Sequence, residues 1–198
     1  MLFFSFRHHV YELVLKAVFE VKIKRVITSQ DIPLFKKLKD NWKNIDLTKI
    51  QCYRETVELL RTLPELENSL DFYRAELKPV MVRNDYRELI ELSIVLLGGD
   101  TEKIKIRPPA AMHQTRWMTR AIYSLKLSLF SSQLKLNTKD KEALLDVFLF
   151  IVTIYVKSWL RCILAVKAPY KDLCFLKSLK AYEKMNESTS KAALQKFS

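Results

Sequence analysis

The chain has 198 residues, 49% of them apolar, with two glycines, three cysteines and 34 lysines and arginines against 22 acids, a net charge of +12. That length is enough for one domain with a true core or for part of a larger one. The scarcity of glycine argues against a turn-rich sheet fold. The absence of any C-x-x-C spacing among Cys52, Cys162 and Cys174 argues against a disulfide framework.

Residues 1–6 are apolar, but the run breaks at Arg7. No basic segment precedes it and no small-residue cleavage motif follows, so no signal peptide is expected. Helical spacing runs from Phe6 to Val26, with Val10, Leu13, Val14, Ala17, Val18 and Val21 on one side. Lys22, Lys24 and Arg25 collect where the helix dipole is negative. Ser29 and Asp31 are cap candidates for a second helix starting near Pro33. Leu34, Phe35, Leu38 and Trp42 line that helix, while Lys36, Lys37, Lys39 and Lys43 point away; Asp46 can cap a short third segment. Glu55–Leu63 and Glu65–Lys78 read as helices ended by Pro64 and Pro79. Asp85-x-x-Glu88 has the capping-box pattern ahead of Leu89–Leu96, and Gly98-Gly99 supplies the stop. Lys103–Arg107 alternates and is the one strand candidate.

Arg107 to Phe130 organises the rest. Pro108 and Pro109 force an extended entry; Trp117, Ala121, Leu125 and Leu129 then fall on one helical line, with Met118 and Ile122 beside it. Arg107, His113, Arg116, Arg120 and Lys126 are cationic or can become so, and no acid interrupts them. Such a helix side suits a phosphate-bearing partner. A buried amphipathic helix with a solvated basic face is the plainer alternative.

Asn137 or Thr138 can cap a long helix running from about Lys139 to about Ala168, with Pro169 closing it and Asp172–Glu183 giving one more. Leu144–Val156 is apolar apart from Asp146 and Thr153. A membrane span needs about 20 apolar residues, and Lys157 and Arg161 arrive too soon, so a buried central helix is expected and no membrane partner. The fold expected is mainly α, about seven helices with at most one short strand pair. A single helical domain over 1–185 would be followed by a polar, Ser-rich tail over 186–198 without expected order.

Charge is uneven: residues 51–100 carry 6 basic and 10 acidic side chains, whereas 101–198 carry 18 and 7. The positive field points to nucleic acid, an anionic membrane or an acidic protein. His8 and His9 are neighbours, about 100° apart on a helix, so they cannot chelate one metal as an i,i+4 pair would. Asp85, Glu88 and Glu91 read as a solvated helix face. No Gly-rich phosphate loop, G-x-S-x-G elbow or D-x-D loop is present. No metal, cofactor or small-molecule ligand is therefore expected, and no catalytic residue is named.

R-H-H-V-Y-E-L-V-L at Arg7–Leu15 followed by H-Q-T-R-W at His113–Trp117 resembles cut-and-paste transposases of the hAT-like kind, and D-Y-R-E-L-I-E-L-S-I-V-L-L-G-G from Asp85 and A-P-Y-K-D-L from Ala168 resemble transposon-derived proteins with the same order of blocks. The resemblance implies a ribonuclease-H-like core interrupted by a large helical insertion, with three acids holding two divalent ions. The family's Cys-or-Asp-x-x-His signature would fall on Phe6 and His9, and its Arg-Trp pair on Arg116 and Trp117, near the start of the insertion. Phe6 departs from the pattern, and the family's first catalytic acid lies on strands upstream of this block. Two-metal cleavage needs those carboxylates, so the expectation is a truncated, catalytically inactive fragment like the helical insertion.

The function expected is sequence-independent nucleic-acid binding, with DNA as the expected partner, through Arg107, His113, Arg116, Trp117 and Arg120, in an intracellular protein that is nuclear if the resemblance holds. Anchoring the helix is the commoner role for Trp117. The alternative is a helical interaction module that associates with itself or a protein partner through exposed apolar helix faces. Membrane attachment through Leu144–Val166 is a third and weaker reading.

Overall fold

Every regular element among the described residues of the computed structural model is helical; these residues are 4–23, 32–51, 53, 69–78, 83–99, 106–109, 117–161 and 168–197. Eight helices follow in order: α1 (Phe4–Ile23), α2 (Pro33–Asn41), α3 (Ser69–Glu76), α4 (Asn84–Leu96), α5 (Trp117–Leu129), α6 (Thr138–Arg161), α7 (Ala168–Tyr182) and α8 (Glu187–Phe197). Ile106 and Arg107 are irregular rather than extended in a strand. Residues 103–105, the cap candidates Ser29 and Asp31 and the helix read over 55–63 lie outside the described residues.

α6 lies at the centre, against α1, α5 and α7; α5 packs on α4 and α2, and α1 packs along α8. α1 buries Tyr11, Val14, Leu15, Val18, Phe19 and Ile23, while Val21 is exposed. The core side of α1 is thus rotated from the face marked by Val10, Leu13 and Val21, because it is the larger Tyr11, Leu15 and Phe19 that go inside. They bury more apolar area per position than the valines do.

Pro33 opens α2 behind an extended Ile32, and Leu34, Phe35 and Leu38 are buried as their spacing demands. Asp46 caps no helix. Its Oδ1 accepts hydrogen bonds from the Thr48 backbone N–H at 3.0 Å and the Thr48 hydroxyl at 2.6 Å, closing a local turn. The capping box at Asp85 does not form either. Arg83 is the N-cap residue of α4, so Asp85 sits inside the first turn, accepting from the Tyr86 N–H at 3.0 Å and pairing with Arg83. Gly98 closes α4 with φ of 78°, a conformation that costs glycine little. Its N–H bonds the Val95 carbonyl and the Gly99 N–H bonds that of Ile94.

Asn137 caps α6, its side-chain oxygen accepting from the Asp140 N–H at 2.7 Å. α6 is long and apolar enough to cross a membrane by length and composition, but 72% of its apolar window is buried inside the fold. It is a core helix of the domain. Ile151–Tyr155 forms a π-turn within it. Four consecutive β-branched residues, Ile151 to Ile154, crowd a regular α-helix there. Widening leaves carbonyls to be satisfied from elsewhere, and Tyr73 of α3 donates its phenol O–H to the Val152 carbonyl at 2.5 Å.

Two expectations about the C-terminal region are corrected. Pro169 does not close a helix: it is the second residue of α7, where its missing N–H costs nothing. The polar segment after Asn186 is helix α8 rather than a tail. Asn186 caps it, accepting from the Thr189 N–H at 3.1 Å, and its small Thr189, Ser190, Ala192 and Ala193 are buried where α8 lies along α1. Small side chains let two helices approach closely, so a polar composition need not mean an unpacked segment. Ser190 Oγ donates to the Leu179 carbonyl at 2.7 Å, Lys22 Nζ bridges Asp146 and Ser188 at 2.9 Å each, and Phe197 packs against Phe175.

Candidate nucleic-acid interface

The cations read from the Arg107–Phe130 stretch do not form one exposed stripe where they are described. Lys126 of α5 is 1% exposed. Its ammonium lies 2.7 Å from Glu88 Oε1 of α4, donates to the Arg107 carbonyl at 2.8 Å and sits 5.7 Å from the Trp42 ring centre. Burial pulls the ammonium below its ordinary range and the Glu88 carboxylate pulls it back. Lys126 is therefore an internal tie between α4, α5 and the entry segment at Arg107.

Arg107 is partly buried, and its charge is felt by Glu91 of α4, whose carboxyl is raised by burial and lowered by Arg87 and Arg107. Arg120 is partly buried too; burial lowers its guanidinium and Glu20 of α1 opposes that shift. Trp117 opens α5, while its side chain, His113 and Arg116 lie outside the described residues. Carboxylates on α4 and α1 thus act electrostatically on Arg107 and Arg120. Among the described residues no three His, Cys, Asp or Glu side chains group as a metal site.

One exposed positive surface lies elsewhere. Lys36, Lys39 and Lys43 project into solvent from α2 and the 3-10 turn that follows it, and Lys49 follows in the next loop. Lys135, Lys139 and Lys141 are exposed on the α5–α6 turn and the start of α6. The two segments are held together by main-chain and side-chain bonds. Lys37 Nζ donates to the Lys135 carbonyl at 3.0 Å; Gln133 Nε2 donates to the carbonyls of Asp46 at 2.9 Å and Lys49 at 2.7 Å; its Oε1 accepts from the Asp46 N–H at 2.9 Å; and the Gln51 N–H bonds the Leu129 carbonyl at 2.9 Å. Over residues 33–50 and 131–142 the chain places eight lysines against four acids. One of those acids, Asp46, is engaged by Thr48 and Lys49, and another, Asp140, by the Asn137 cap.

Sequence periodicity had already set the α2 lysines outside. What it lacked was the partner segment, because nothing local says that residues 131–142 fold back beside α2; that is fixed by Gln133 and Lys37. Comparison with protein-family models, curated proteins and solved structures finds no match.

Proposed function

We propose that this protein is a transposase-derived helical module that binds nucleic acid through phosphates without reading sequence. The supporting observation is the lysine surface of α2 and the α5–α6 turn: solvent-facing cations on two segments tied to each other, with few acids among them. Exposed ammonium groups match the evenly spaced phosphates of a duplex and need no base contact. The motif resemblance to hAT-like transposases supports the same reading and would place the protein in the nucleus. In this picture Arg107, His113, Arg116, Trp117 and Arg120 contribute at the margin, since Arg107 and Arg120 are partly buried and within the electrostatic influence of Glu91 and Glu20.

The test is fluorescence anisotropy with two unrelated 30-base-pair duplexes between 50 and 300 mM KCl. Affinity in the micromolar range, equal for both duplexes, with a log–log salt slope of several negative units, is expected. Lys36→Gln/Lys39→Gln/Lys43→Gln is expected to flatten that slope by about 0.9 for each phosphate contact removed. An affinity indifferent to salt would end the proposal.

One observation favours a protein-docking role instead. Tyr170, Leu173 and Leu176 of α7, 68%, 49% and 38% exposed, recur every three residues along that helix. If they form a docking stripe, sedimentation without nucleic acid will depend on concentration, and Leu173→Lys will abolish that dependence.

A further inference from the structure

A second concentration of positive charge lies between α6, α7 and α1. A cavity of about 330 Å³ opens there, within the size range of small-molecule sites. Its ionisable wall groups among the described residues are Lys157 and Arg161 of α6, Tyr170, Lys171 and Cys174 of α7 and Tyr11 of α1. Three are cations and none is a carboxylate. Asp172 lines an adjoining cavity of about 230 Å³ with Val10, Tyr11 and Phe197, Tyr11 being common to both.

Lys157 is 9% exposed and has no carboxylate partner among the described residues. Burial, and then the like charge of Arg161 one turn further on, push its ammonium down to about 8, so it is still largely protonated at neutral pH. Two cations four residues apart share a helix face and repel. The Lys171 ammonium is brought to the same wall by donating to the Arg161 carbonyl. The buried charge of Lys157, beside a second cation, is a cost that an anion would relieve.

The wall is also irregular where this charge sits. Thr153 and Ile154, both in the π-turn of α6, line the cavity just ahead of Lys157. π-turns inside α-helices occur mostly as isolated features and frequently at functional sites. Ser158 and Ser178 add hydroxyl groups, and Tyr11 and Phe175, packed edge to face at 5.1 Å, give one side an aromatic surface.

We infer that this cavity binds a small phosphomonoester with a flat aromatic body, its phosphate held by Lys157, Arg161 and Lys171 and its body lying against Tyr11, Phe175 and the exposed ring of Tyr170. Three cations with neighbouring hydroxyls match a dianionic, three-oxygen head better than a monoanionic carboxylate. The site was not legible in the sequence, where Lys157 and Arg161 served to end an apolar run. It uses none of the residues of the lysine surface, so the two readings can fail separately.

The experiment is titration calorimetry of the full chain with phenyl phosphate, inorganic phosphate and phenol. Phenyl phosphate is expected to bind once per chain, more tightly than either half, and about tenfold or more weakly in Lys157→Met. Arg161→Gln, at an exposed position, is expected to show the same loss if Lys157→Met does not fold. Lys36→Gln/Lys39→Gln/Lys43→Gln is expected to leave phenyl phosphate binding unchanged while weakening duplex binding. Absence of saturable binding at millimolar concentration overturns the inference, as does inorganic phosphate binding as tightly as phenyl phosphate. Equal affinity in wild type and both cavity variants overturns it too.

Discussion

Lys126 and the lysines of α2 have the same side chain in opposite settings. Lys126 is locked inside by Glu88 and the Arg107 carbonyl, whereas Lys36, Lys39 and Lys43 stand in water. The first charge is compensated by one fixed acid, so it holds helices together and has nothing left for a ligand. The others cost little to keep and remain available to a polyanion. Net charge counts both kinds alike; only the placement of the acids separates them. Glu88 of α4 pairs with Lys126, and Glu91 of α4 and Glu20 of α1 act electrostatically on Arg107 and Arg120, while α2 has only Asp40 along its length.

The sharpest way to break this contrast is to remove one partner of the internal pair. Lys126→Ala leaves Glu88 buried without its cation and is expected to lower unfolding free energy by about 3–5 kcal/mol, measured by urea denaturation. The paired change Lys126→Met/Glu88→Leu keeps volume and removes both charges, and is expected to recover most of that loss. If Lys126→Ala costs less than about 1 kcal/mol, Lys126 is not the tie described above and its charge is free for other use.

Lys157 sharpens the comparison from the other side, being buried with a cation beside it instead of an acid. Its folded-state pKa, about 8, lies below the usual lysine value of 10.5. The unfolded chain then binds more protons between those two values, so stability is lowest below about pH 8 and rises as pH climbs toward 10. Lys126, shifted in the same direction, adds to the rise. A gain on the order of 1–2 kcal/mol between pH 7.5 and 9.5 allows for solvent screening at the cavity mouth. Denaturation at stepped pH checks it, and Lys157→Met should make the curve flatter. A stability that falls across that interval would mean Lys157 has found an acid.

The helical fold was legible because its signals are local. Pro33, Gly98 and Asn137 mark helix ends by backbone chemistry that needs no distant partner. The misreadings have a common physical cause, since each depends on what a segment meets elsewhere. Val21 looked like core until the larger Phe19 and Tyr11 claimed the buried side of α1. Residues 187–197 looked like a tail because Ser, Thr and Ala are weakly apolar, yet their small size lets α8 pack along α1. Lys126 of α5 looked free for a phosphate because Glu88, which pairs with it, lies on α4, far away in sequence. The Lys157 cavity needed α6 and α7 to be brought together before its charge imbalance existed at all.

The smallest effect tests whether the α2 lysines serve stability in any degree. Lys36 and Lys39 are three residues apart, and Lys39 and Lys43 four, so like charges neighbour one another along the helix. Such pairs destabilise an exposed helix by about 0.2–0.5 kcal/mol at low salt. Lys39 offsets a little of this by lying 5.7 Å from the Tyr123 ring centre. Lys36→Gln/Lys39→Gln/Lys43→Gln is therefore expected to raise unfolding free energy by a few tenths of a kcal/mol in 20 mM salt, a difference that vanishes near 0.5 M as screening shortens to a few ångströms. A surface that is mildly unfavourable to its own fold, and relieved by salt, is one whose charges serve something outside the chain. Loss of more than about 1 kcal/mol in the triple variant would make these lysines structural, and the contrast with Lys126 would then disappear.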